Sequence, residues 1–179
     1  MNQSIVLGGG CFWCLEAVYQ RLKGVTHVES GYAGGTKETA NYELVCSGQT
    51  DHVEVVRVHF DDALVSLTEI LEVFWTIHDP TTPNRQGNDK GPQYRSAIFY
   101  QTNEELYLAK KSIEGVASDL YADPVVTELH HLEAFYPAED YHQDYFIRIG
   151  GRNPYCTFVV APKVQKFKAK FSDKWKSDI

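Results

Sequence analysis

The apolar positions change period several times along the chain, and each change marks an element. Ile5, Val6 and Leu7 make residues 4–7 a short buried strand, and Gly8-Gly9-Gly10 breaks it. From Cys11 the period is helical: Phe12, Leu15, Val18, Tyr19 and Leu22 fall on one face, and Lys23-Gly24 supplies a basic last turn and a stop. Residues 25–32 read as a strand closed by Gly34-Gly35, and a polar stretch fills 36–50. Residues 52–60 form a Val-rich strand. Ser66 and Glu69 have capping-box spacing ahead of a helix whose face carries Ile70, Leu71, Phe74 and Trp75, ended by Asp79-Pro80. Residues 95–100 are the next strand. Thr102 and Glu105 open another helix with a stripe of Leu106, Ala109, Ile113, Val116 and Leu120. Residues 125–132 are extended, and 162–171 read as a helix.

Up to Tyr100 the order is strand, helix, strand, strand, helix, strand, which is that of a split βαβ unit. The expected fold is α+β: a ferredoxin-like split βαβ core, a mixed sheet with helices packed on it, and a long C-terminal coil and helix extension. One loop stands out. Residues 79–94 show no period and crowd Pro, Gly, Asn and Asp together; loops this long inside a domain are usually functional or disordered, and its aromatic end and neighbouring strand favour function.

Composition narrows the classes. At 179 residues the chain is expected to be a single catalytic domain over 1–179. With 43% hydrophobic and 23% charged residues it has the material for a core. Its net charge of −7 argues against nucleic acid or an anionic membrane as partner. The four cysteines, Cys11, Cys14, Cys46 and Cys156, include one close pair and read as reactive thiols in a reducing compartment. No transmembrane run is visible. The apolar N-terminus lacks a basic lead, so a cytoplasmic monomer is expected.

The chemistry concentrates at Gly10-Cys11-Phe12-Trp13-Cys14. Cys11 falls where a strand ends and a helix begins, so free amides and the helix dipole are expected to lower its pKa. The bland alternative is a buried small hydrophobe. Adjacent helix residues point about 100° apart, so at least one of Phe12 and Trp13 is expected to line the site. An apolar wall beside a thiolate suits a methyl or thioether. Cys11 and Cys14 also spell C-x-x-C. No second ligand pair is spaced for zinc, so no metal and no cofactor are expected. Alternation puts Glu54 on the face of Val56, Val58 and Phe60, where burial would keep it protonated; a strand-end carboxylate reaching solvent is the other reading. Tyr42, Asp89 and Tyr94 are polar groups in irregular segments. The histidines, His142 among them, show no metal spacing and read as core or surface residues.

Beyond this point a resemblance adds to the residues. Gly-Cys-Phe-Trp with Glu16, Gly31-Tyr32-Ala33-Gly34-Gly35, the run from Tyr42 to Gly48 with His52-Val53-Glu54, His78-Asp79-Pro80, Arg85 to Asp89, Gln93 to Ser96, and Phe135-Tyr136 with Tyr141-His142-Gln143 resemble the motifs of the A-type peptide methionine sulfoxide reductases. The likeness runs from residue 8 to about 172. It implies thiol-dependent reduction of methionine S-sulfoxide, free or in proteins, as repair of oxidative damage. It implies Cys11 as nucleophile, Phe12 and Trp13 around the substrate methyl, and Glu54 as acid. Tyr42 and Tyr94 would bond the sulfoxide oxygen, and Asp89 would hold the site. It further implies a Cys sulfenic acid, an intramolecular disulfide, and thioredoxin as reductant.

The sequence departs from the best-known members at the resolving thiol. Many have Gly at position 14 and two cysteines in a C-terminal tail; here position 14 is Cys, and none follows Cys156. Cys156, near Gly150-Gly151 and Pro154, and Cys14 both stand as candidates, while Cys46 aligns with a cysteine that is not required. A thioredoxin-like oxidoreductase would have Trp before the first Cys and Gly-Pro between the two, and has neither here. A sulfoxide-binding module with structural thiols is the non-enzymatic alternative.

Overall fold

A computed structural model describes residues 1–176. The last three residues of the domain expected over 1–179 lie outside the described residues. Strand β1 (Asn2–Gly8) leads into helix α1 (Phe12–Tyr19), then β2 (Val25–Ala33), a short α2 (Tyr42–Cys46), β3 (Val53–Asp61) and α3 (Leu67–Ile77). A small hairpin of β4 (Arg85–Gln86) and β5 (Asp89–Lys90) occupies the aperiodic loop. Then come β6 (Ala97–Tyr100), α4 (Asn103–Ser112), α5 (Ser118–Leu120), β7 (Glu128–His131) and β8 (Phe135–Pro137). The C-terminal part carries α6 (Tyr145–Ile149) and α7 (Ala161–Lys170).

The six-stranded sheet runs β7-β6-β1-β3-β2-β8. Its inner four are antiparallel in the order expected of a split βαβ core. β7 adds to β6 in parallel, and β8 to β2 antiparallel. The sheet is therefore mixed, and the fold is α+β as expected. β3 is paired on both sides and apolar on both faces, as a central strand should be. Val56, Val58 and Phe60 face the helices. Val53 and Val55 join Val6, Ala97, Phe99 and Leu132 on the other face.

The capping box at α3 is complete. Glu69 N–H donates to Ser66 Oγ at 3.1 Å, and Ser66 N–H donates to Glu69 Oε2 at 2.8 Å. Lys174 Nζ reaches the same carboxylate at 3.1 Å, and Lys23 N–H donates to Lys174 O at 2.9 Å, so the C-terminal end is tied back to the core. Among the described residues no helix is long and apolar enough to cross a membrane.

Three expectations change. α1 ends at Tyr19 rather than Leu22, which lies beyond it yet is fully buried. The polar stretch holds α2, capped by Asn41, whose side chain accepts from Leu44 N–H. In the stripe after Thr102, the buried positions are Ala109, Ser112 and Ala117, whereas Leu120 is exposed. A wide, π-type turn at Ile113–Ala117 takes up one extra residue and moves the buried face from Val116 to Ala117.

Candidate functional site

The site forms where β1 gives way to α1. Cys11 is the N-cap of α1, with extended backbone, and is nearly buried. Gly10 has φ +86°, and a Cβ there would lie 2.7 Å from Gln86 Cγ. Glycine therefore lets the β4–β5 loop close against the nucleophile. Gln86 pins that loop: its Oε1 accepts from Asp79 N–H at 2.9 Å, and its Nε2 donates to Asp79 O at 3.0 Å. Gly10 N–H donates to Tyr94 O at 3.2 Å, which brings Tyr94 to the same corner.

Glu54 stands on β3 facing the helices, 1% exposed. The first free amide of α1, Phe12 N–H, donates to its Oε1 at 3.2 Å. Burial raises its pKa from 4.5 to about 8 against that bond, with the charges of Asp89 and Cys14 adding to the rise. Glu54 is therefore a carboxylic acid at neutral pH, in hydrogen-bond distance of the residue next to Cys11.

The thiols correct one expectation. Burial holds the Cys11 thiol well above its ordinary range, reinforced by its hydrogen bond with Cys14 and by Glu54. The helix N-terminus compensates only in part: Trp13 N–H lowers the Cys11 pKa, but the leading amide, Phe12 N–H, is engaged by Glu54. Cys14 goes the other way. The bond with Cys11 lowers its pKa, with Lys163 and Tyr155 assisting against burial. Of the two, Cys11 holds its proton the more tightly and Cys14 gives its proton up the more readily.

Of the aromatic pair, Phe12 is wholly buried and forms the floor, stacked 6.4 Å from Tyr42 and 5.0 Å from the His142 ring. Trp13 is half-buried. Its ring lies parallel to Tyr145 at 3.8 Å, and its Nε1 donates to His142 Nδ1 at 3.1 Å. Accepting at Nδ1 places the His142 proton on Nε2, and burial lowers its pKa to about 4, so this imidazole is neutral. Tyr42, Tyr94 and Asp89 come to the same region. Burial raises both tyrosines, with Glu54 contributing. The carboxylate of Asp89 accepts from Tyr155 Oη at 2.5 Å.

The two candidate resolving thiols sit differently. Cys14 is one helical turn from Cys11 and bonded to it. Cys156, on a wide turn at Cys156–Val160, is fully buried, and the thiol that acts on it is Cys14. Cys46 lies beside the Tyr42 hydroxyl. Among the described residues, no group of three or more His, Cys, Asp or Glu side chains is arranged to hold a metal.

Several site residues escaped the sequence. Glu139 accepts from Tyr42 N–H at 2.9 Å and from Tyr32 Oη at 2.8 Å, which fixes both rings around Phe12. Glu16, fully buried on α1 with its pKa raised by burial to about 7, accepts from the amides of Asp144 and Tyr145 at 3.0 and 3.2 Å. It thereby holds Tyr145 over Trp13. His142, Tyr145 and Tyr155 lie in stretches without clear periodicity. Their only signals were the Tyr141-His142-Gln143 motif and the position of Tyr155 beside Cys156.

Comparisons with known proteins point to one family. The family described as Peptide methionine sulfoxide reductase matches residues 3–175. The chain is 52% identical to Peptide methionine sulfoxide reductase MsrA of Polynucleobacter asymbioticus, over 92% of this chain and 87% of that one. Its fold is similar to reduced Mxr1 of Saccharomyces cerevisiae, with TM-score 0.77 and 35% identity over 82% of this chain and 85% of the other. It is also similar to Mxr1 in complex with Trx2, with TM-score 0.56 and 25% identity over 80% and 84%.

Proposed function

The chain belongs to the peptide methionine sulfoxide reductase family, and from that premise we propose that it reduces the S epimer of methionine sulfoxide, free or in proteins, through a sulfenic acid on Cys11. The observation that carries the mechanism is the protonated Glu54 set against the amide that follows Cys11. A sulfoxide sulfur is electrophilic, but its oxygen leaves only when protonated. Glu54 donates a proton to that oxygen while Cys11 attacks the sulfur, and Cys14 takes the Cys11 proton. The sulfoxide sulfur gains two electrons and Cys11 loses two. Methionine departs, and the oxygen remains on Cys11 as sulfenic acid. Tyr42 and Tyr94 donate to the oxygen as charge builds on it. Trp13 and the Phe12 floor enclose the methyl group, and Asp89 closes the opposite side.

Cys14 is the first resolving thiol in this reading, because its sulfur already touches that of Cys11. Carrying the proton taken from Cys11, it condenses as a thiol with the sulfenic acid to a Cys11–Cys14 disulfide, and that proton leaves with the hydroxyl as water. Cys156, set against Cys14, then takes over that bond by exchange and frees Cys11. The Trx2 complex of yeast Mxr1 supports a thioredoxin as the reductant of the final disulfide. A cycle of this kind serves repair of oxidised methionine in a reducing compartment such as the cytoplasm.

The test is one turnover on racemic methionine sulfoxide without reductant. The S epimer alone is consumed, and disulfide mapping finds Cys14 joined to Cys11 or Cys156. Cys11→Ser forms no methionine. Consumption of the R epimer, or Cys11 joined to Cys46, would overturn the reading.

A further inference from the structure

Trp13 is held from two sides by one stretch of chain, residues 138–145, and that stretch hangs partly on a residue the reaction does not use. His142 accepts from Trp13 Nε1–H at 3.1 Å, and the Tyr145 ring lies parallel to the indole at 3.8 Å. The stretch is fastened at two points. The first is Gln143, whose side chain pairs with the backbone of β2: its Oε1 accepts from Ser30 N–H and its Nε2 donates to Ser30 O, each at 2.9 Å. The second is Glu16, which lies one turn beyond Trp13 on α1 and is fully buried. Its Oε2 accepts from Asp144 N–H at 3.0 Å and from Ser30 Oγ at 3.4 Å, and its Oε1 accepts from Tyr145 N–H at 3.2 Å.

Asp144 has φ +54°, a left-handed conformation that a residue with a side chain keeps only where its surroundings hold it. Its own carboxylate accepts from Gln20 Nε2 at 2.6 Å and caps nothing in α6. The carboxylate of Glu16 therefore takes the two backbone donors that set where α6 starts, and with them the place of the Tyr145 ring over Trp13. At its far end that ring is fixed by Asn153 Nδ2, which donates to Tyr145 Oη at 2.8 Å.

We propose that Glu16 is a positioning residue for substrate binding: through Asp144 and Tyr145 it holds the Trp13 indole where it closes on the sulfoxide methyl group. This rests on the reading of Trp13 as a wall of the methyl site. Cys11 and Glu54 carry the chemical step, so loss of Glu16 lowers affinity and leaves the rate of bound substrate. Both carboxylate oxygens are needed. A carboxylate accepts at each of them, whereas an amide of the same shape accepts at one and turns an N–H toward a backbone N–H at the other. Glu16→Gln thus keeps the volume of the side chain and breaks one of its two backbone bonds.

The experiment measures methionine formed in a single turnover of reduced enzyme over a range of methionine S-sulfoxide concentrations, which separates the half-saturating concentration from the maximal rate. Glu16→Gln raises the half-saturating concentration roughly 10-fold and leaves the maximal rate within about twofold of wild type. In heteronuclear NMR its Trp13 indole N–H signal, identified by its loss in Trp13→Phe, moves as the Tyr145 ring shifts. A wild-type half-saturating concentration, or a fall in maximal rate alone, would overturn the proposal. Tyr145→Leu removes the stack and leaves Glu16 in place, so it tests the same point should Glu16→Gln not fold. It raises the half-saturating concentration as Glu16→Gln does, and the double variant binds no more weakly than either alone. Wild-type saturation in Tyr145→Leu, or additive losses in the double variant, mean that Glu16 does not act through Tyr145 and also overturn the proposal. Trp13→Phe separates the two layers. If it saturates as wild type does, the reading of Trp13 as the methyl wall fails and the role of Glu16 with it. If it needs more substrate while Glu16→Gln behaves as wild type, the positioning alone fails.

Discussion

Replacing Glu54 by Gln tests the protonated carboxyl on which the chemistry depends, and it does so through stability as well as rate. The folded carboxyl has a pKa of about 8 and the unfolded one about 4.5. A carboxyl raised on folding binds its proton more tightly in the native state, so unfolding releases that proton and stability falls as pH rises. Below pH 4.5 both states are protonated, and the group costs nothing. Between 4.5 and 8 the unfolded chain ionises and the folded one does not. Each pH unit crossed costs about 1.4 kcal/mol. At pH 7 the total is about 3 kcal/mol, and above pH 8 it levels off near ~5 kcal/mol. Gln keeps the oxygen that accepts from Phe12 N–H and carries no titrating proton. Glu54→Gln should therefore match wild type near pH 4 and exceed it in stability by about 3 kcal/mol at pH 7, while losing sulfoxide turnover for want of an acid. Urea unfolding at pH 4, 5.5, 7 and 8.5 measures the difference. A gap that stays constant across that range would mean the carboxyl ionises in the fold as it does in water, and the acid role would be lost with it.

Two further outcomes follow from the same structure. Tyr42→Phe and Tyr94→Phe should each lower kcat/KM for methionine sulfoxide by about 10²-fold, the usual effect of removing one donor to a developing oxyanion; unchanged kcat/KM in both would remove the tyrosines from the reaction. Ser66→Ala breaks the capping box of α3 far from the site, so it should cost about 1 kcal/mol and lower Tm by roughly 2–4 °C with turnover intact; an unchanged Tm would mean that the cap contributes nothing.

The elements were legible because their signals are local. Alternation in β3, helical spacing in α3 and the Ser66–Glu69 pair each lie within a few residues, and the order of elements led to the split βαβ core. Cys11 and Glu54 were legible for a similar reason: one follows a glycine run at a strand-to-helix switch, and the other interrupts an apolar strand. The stripe after Thr102 misled at Val116 and Leu120, since a single wide turn rotates the face and no pattern of apolar residues announces it.

Tertiary structure alone decided the rest. Glu16 meets Asp144 and Tyr145, Trp13 meets His142, and Tyr155 meets Asp89, across separations from 66 to 129 residues. Contacts of that range leave no period in the sequence. The opposite pKa shifts of the two thiols were decided in the same way. A helix N-terminus by itself predicts a stabilised Cys11 thiolate, but desolvation is summed over every atom packed around the sulfur, and the amide that would have stabilised it was taken by a carboxyl from another strand. Sequence determined which reactive groups are present and which elements carry them. Packing determined the opposite directions in which the two thiols are shifted, because burial and partner charges are properties of the assembled neighbourhood.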